Sequence, residues 1–106
     1  MTRSTIVTIA GFLMVAISLG YCHVRTVQLD EAFKKVKIGD VERDVVATMG
    51  HPHQIFEGCN FYGPSRIAGC AREYVYFPPW TIVGEAWSIS LNADGAVVNT
   101  AHFVSP

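Results

Sequence analysis

The hydrophobic pattern divides this chain in two. From Ser4 to Cys22 there is no charged side chain, and Arg3 stands just before the run. A short cationic start followed by an apolar stretch is the layout of a secretory signal, and Ser18 and Gly20 would suit a cut before Tyr21. The same stretch just reaches the length of a membrane-spanning helix, so a retained anchor fits equally well. It has no polar face, which argues against a buried helix of a soluble protein. Either way the rest of the chain crosses a membrane, with Arg3 favouring a cytoplasmic N-terminus. The division is therefore residues 1–22, signal or anchor, and residues 23–106, one exported domain.

Within that domain the pattern is first helical. Leu29, Phe33 and Val36 recur at four and three residues, on one face of a short helix. Asp30 and Glu31 sit early in it and Lys34, Lys35 and Lys37 late, as the helix dipole prefers. Gly39 breaks it. A second helix is predicted from Val41 to Met49, with Val41, Val45 and Met49 one turn apart. Asp40 is placed to cap it, Gly50 to provide its exit and Pro52 to stop it.

After Pro52 the period becomes extended. Gln54 to Glu57 reads as an extended lead-in. Glu73-Tyr74-Val75-Tyr76-Phe77 is dense in β-favouring residues and is halted by Pro78-Pro79. Glu85 to Leu91 alternates, with Trp87, Ile89 and Leu91 on one face and Ser88 and Ser90 on the other. Asn92-Ala93-Asp94-Gly95 is a turn, and Ala96 to Phe103 returns as a strand. The expected fold class is α+β: two short helices followed by a three-stranded antiparallel sheet (ααβββ), after an N-terminal signal or anchor helix.

Size and charge narrow the function. The chain has 106 residues, 8 Lys plus Arg and 9 Asp plus Glu. No basic field exists to attract nucleic acid. A domain this small gains from a covalent staple or an anchor. Cys59 and Cys70 enclose a ten-residue loop rich in turn residues, and are the natural disulfide pair in an oxidising compartment. His51 and His53 lie nearby, but the cysteines lack the C-x2-C spacing of a zinc site. We expect no metal and no cofactor. G-x-S-x-G, H-E-x-x-H and glycine-rich phosphate loops are absent. Cysteines bonded to each other make poor nucleophiles, so no catalytic residue is assigned and the chain is expected not to be an enzyme.

Two resemblances add to this reading. Leu19-Gly20-Tyr21-Cys22 resembles a bacterial lipobox, with Tyr21 where a small residue is usual, and implies possible lipidation of Cys22. Gly39-x5-Val45-x4-Gly50-x-Pro52 resembles the G-x5-V-x4-G-x-P signature of the SmpA/OmlA (BamE-like) family. The aromatic strand at Glu73–Phe77, and Trp87-x-Ile89-x-Leu91 followed by Asp94-Gly95, resemble that family's first strand, second strand and turn. The likeness covers roughly residues 29–103. It implies the ααβββ fold, a periplasmic or outer-membrane location, and a binding or scaffolding role beside the machinery that assembles outer-membrane barrels.

The residues that best fit a partner contact are Trp80 and Ile82, in the proline-stiffened connection Phe77–Gly84. Phe61 and Tyr62 in the disulfide loop form a second candidate. The expected function is a membrane-attached envelope subunit that binds other envelope proteins. The alternative is an exported, inhibitor-like binding module unrelated to barrel assembly.

Overall fold

The computed structural model describes residues 2–61, 67–79 and 84–104. Helix α1 runs from Arg3 to Lys35. Its first turn is capped by Thr2, whose hydroxyl accepts from the Thr5 N–H at 3.3 Å. Lys34 and Lys35 complement its last carbonyls. The short helix expected near Leu29–Val36 is therefore corrected: it is the final part of one 33-residue helix. The reason is local. Polarity changes after Cys22, but His23–Gln28 contains neither glycine nor proline to interrupt the backbone.

Gly39, at φ 94°, turns the chain back toward the sheet. Helix α2 then covers Glu42–Met49. Its N-cap is Val41, which makes no side-chain capping bond. Asp40, expected as the cap, instead accepts the Lys37 N–H at 2.9 Å. The open helix end is satisfied tertiarily, because the Glu42 N–H donates to the Gly95 carbonyl at 2.8 Å. Val41 is consequently exposed, while Val45 and Met49 are buried. Gly50 closes α2 at φ 84°, and its carbonyl accepts from the Tyr76 hydroxyl at 2.8 Å.

Four strands follow: β1 Gln54–Glu57, β2 Arg72–Tyr76, β3 Glu85–Leu91 and β4 Val97–Val104. They form one antiparallel sheet in the order β1-β2-β3-β4. The α+β class stands, but the sheet has four strands rather than three. The extra one is Gln54–Glu57, which pairs along its length with Arg72–Val75. The β3–β4 turn is held by Asn92, whose side-chain oxygen accepts from Asp94 and Ala96 N–H at 3.0 and 2.9 Å.

Both sheet faces are covered over much of their area. Leu29, Val45 and Met49 from the helices, with Val36 just past the end of α1, pack on Tyr74, Tyr76, Trp87, Ile89, Leu91 and Val97. Trp87, Tyr76, Ile89 and Leu91 have no accessible surface. The opposite face carries Glu73, Val75, Ser88 and Ser90, and these are buried too.

Candidate functional site

Where α1 leaves the apolar stretch it passes over the end of the sheet at which β3 begins. Thr26, Val27, Asp30 and Glu31 of α1 face Glu85, Trp87 and His102 across a cleft of about 340 Å³. At a helical rise of ~1.5 Å per residue, Thr26 stands only about 6 Å beyond Cys22, and Glu31 about 14 Å.

Trp87 and His102 are register partners on β3 and β4. Their rings stack at 4.9 Å between centroids, with 3° between planes. The indole N–H donates to Asp30 Oδ1 at 3.4 Å. His102 Nε2 lies 3.8 Å from Glu85 Oε1. Lys34 reaches back along α1 to Asp30 at 3.2 Å and to Glu31 at 3.8 Å. The Lys34 ammonium holds the Asp30 carboxyl below the usual carboxylate range, with the Trp87 indole adding to it against the cost of partial desolvation.

Three carboxylates and one imidazole make this cleft suited to hydrogen-bond donors and cations. Its hydroxyl is engaged elsewhere, since Thr26 Oγ1 donates to the Cys22 carbonyl at 2.8 Å. The cleft thus contains groups that recognise and groups that titrate, without a prepared nucleophile. Among the described residues no three His, Cys, Asp or Glu side chains converge to hold a metal ion.

A second polar cluster ties the far end of the molecule together. Glu42, at the start of α2, accepts from Arg72 Nη2 at 2.8 Å and from the Tyr74 hydroxyl. Burial, reinforced by the Glu42 carboxylate, pushes the Tyr74 phenol up to about 12. Burial also raises the Tyr76 phenol. Gly95 belongs here as well, because a Cβ at that position would meet Glu42 Oε2 at 3.3 Å. In the fold Glu42 joins α2, β2 and the β3–β4 turn.

The sulfurs of Cys59 and Cys70 lie at bonding distance, with Cα atoms 6.1 Å apart. The bond holds Cys59, two residues before Phe61, beside Cys70 at the second face of the sheet. Phe61 sits on that face against Phe56, Phe77 and Phe103, at centroid distances of 5.2, 6.0 and 5.9 Å. Its N–H donates to Glu73 Oε1 at 3.1 Å, and the Ser88 hydroxyl donates to Glu73 Oε2. Phe61 is therefore half-buried against its own sheet. Tyr62, Trp80 and Ile82, the other expected contacts, lie outside the described residues. Cys22 is a free, half-buried thiol on α1.

Sequence reasoning missed the cleft. Asp30 reads from sequence only as a dipole partner, and His102 carries no sequence signal of its own. The available signal was the alternation of β3 and β4, which puts Trp87 and His102 on the helix face. No family model matches the chain, and no curated protein or solved structure matches it.

Proposed function

We propose that this chain is a non-catalytic, membrane-attached binding subunit of the bacterial envelope, with its α+β domain on the periplasmic side. The observation that carries the reading is the continuity of α1. One helix supplies both a stretch long and apolar enough to cross a membrane and the core residue Leu29, with the partly buried Phe33 packed against the core. No flexible linker separates membrane from domain, so the recognition cleft is held at a fixed height and orientation near the headgroups. A domain whose cysteines pair also fits an oxidising compartment. The SmpA/OmlA-like motifs support a scaffolding role in envelope assembly or maintenance rather than a catalytic one.

The test is made on full-length protein in a Gram-negative host. Protease added to spheroplasts should digest the domain while a cytoplasmic marker survives. Proteins captured after gentle detergent extraction should be enriched in barrel-assembly components, and Trp80→Ala should reduce that enrichment. A domain protected in intact spheroplasts would overturn the envelope reading; capture of none of those components would overturn the assembly role.

A further inference from the structure

On the second face of the sheet, one buried acceptor stands between two donors. Glu73 and Ser90 are register partners on β2 and β3, so their side chains lie side by side on that face. Both residues are buried. Each oxygen of Glu73 is taken: Oε1 accepts the Phe61 N–H at 3.1 Å, and Oε2 accepts the Ser88 hydroxyl. Ser90 Oγ, with no accessible surface, has no hydrogen-bond partner among the described residues. A buried hydroxyl without a partner is costly. Here the carboxylate opposite it is occupied by a backbone amide two residues beyond Cys59.

A strained joint holds that amide in place. Cys59 has a left-handed backbone, φ 57°, the one residue other than glycine to do so among the described residues. Gly58, at φ 78°, donates its N–H to the Ala71 carbonyl at 3.0 Å. The chain is thus fixed just before Cys59, and the bond to Cys70 fixes Cys59 itself. Relaxing that φ redirects everything after it, Phe61 included. The two sulfurs also differ in access, since Cys59 is buried at 5% exposure and Cys70 is partly exposed. Cys70 Sγ lies 3.5 Å from the Arg72 carbonyl oxygen, an acceptor that a thiol engages and a bonded sulfur does not.

We propose that the Cys59–Cys70 bond is a redox-sensitive switch that exchanges the donor on Glu73, the Phe61 N–H when the cysteines are bonded and the Ser90 hydroxyl when they are reduced. The reductant is a dithiol. One of its thiolates attacks Cys70 Sγ, the accessible sulfur, and the electron pair of the Sγ–Sγ bond leaves on Cys59 Sγ. The second thiolate attacks the mixed disulfide and releases Cys70. Two protons pass from the dithiol to the two cysteine sulfurs, which gain two electrons as the dithiol closes to its own disulfide. Cys59 then leaves its left-handed backbone, Phe61 comes off Glu73, and Ser90 turns onto the freed Oε1. One hydrogen bond replaces another on Glu73, so Phe61 is released while the helix-covered core stays folded.

The experiment compares full-length protein in nanodiscs with and without dithiothreitol, each state also as Ser90→Ala. Reduction should speed amide exchange at Phe61 by about tenfold or more, while the Ile89 amide in β3 changes by less than about twofold. Ser90→Ala should leave the melting temperature of the bonded protein unchanged or raise it, because it removes an unpaired buried hydroxyl. In the reduced protein the same variant should lower it. Brief treatment with glutathione, quenched in acid, should place the mixed-disulfide adduct on Cys70. Three results each overturn the proposal: Phe61 exchange that reduction leaves unchanged or speeds together with Ile89, equal effects of Ser90→Ala on both states, or an adduct on Cys59. The assay requires no envelope partner and no particular membrane orientation, so its failure is separable from failure of the spheroplast and capture tests.

Discussion

His102 lies flat on Trp87, with 4.9 Å between ring centroids and 3° between planes. The pair closes the sheet side of the cleft, and the indole N–H connects it to Asp30 on α1 at 3.4 Å. Core packing and the candidate binding surface therefore share one side chain. Trp87→Ala should destabilise the domain by about 3–5 kcal/mol, as loss of a large buried aromatic does. In so small a domain that leaves little folded protein. His102→Ala should cost about 1 kcal/mol, the size of an aromatic stacking contribution. Thermal melts of both variants in detergent check this; equal losses would show that the stacked pair acts as one structural unit.

Burial of the Tyr74 phenol, reinforced by its contact with Glu42, makes stability depend on alkaline pH. In the fold the Tyr74 phenol keeps its proton up to about 12, whereas in the unfolded chain it ionises near ~10. The unfolded state therefore loses the proton first as pH rises. The contribution is complete below about pH 10 and is lost between about 10 and 12. Melting temperature should fall across that window, and Tyr74→Phe should flatten the fall. An unchanged slope in the variant would assign the transition to other groups, Tyr76 first among them.

Reduction should loosen the second face before the first. The Cys59–Cys70 bond closes a short loop whose constraint is worth roughly 3 kcal/mol on the chain-entropy model. Adding reductant should lower the melting temperature. It should also speed amide exchange at Phe61, whose N–H is held by Glu73, ahead of exchange in β3. Alkylation without reductant should label Cys22 alone, the free thiol among the described residues. Labelling of both loop cysteines would remove the bond from the account.

Attachment is the remaining expectation. Because α1 continues unbroken through Cys22, Cys22→Ser should stay with carbonate-washed membranes and keep residues 1–21. Mass spectrometry of the retained chain reads this directly. Release of the variant to the soluble fraction, with acyl chains on Cys22 of the parent protein, would assign attachment to a lipid.

Some of this protein was determined by sequence alone, wherever the physics is local. The charge-free run from Ser4 to Cys22, the glycine exit of α2, the Asn92–Gly95 turn and the alternation that buries Trp87 each depend on neighbours a few residues away. Only the tertiary structure decided the rest, and for one reason: the groups concerned are satisfied from a distance. β1 is too short to declare itself and exists because Arg72–Val75 supplies its ladder. Asp40 does not cap α2, because the Gly95 carbonyl of a distant turn already takes the Glu42 N–H. Phe61 reads as an exposed loop aromatic until the paired cysteines draw it onto Phe56, Phe77 and Phe103. The cleft joins residues 26–31 to residues 85–102, a separation that no periodicity in the chain can register, because it is set by how the helix crosses the sheet.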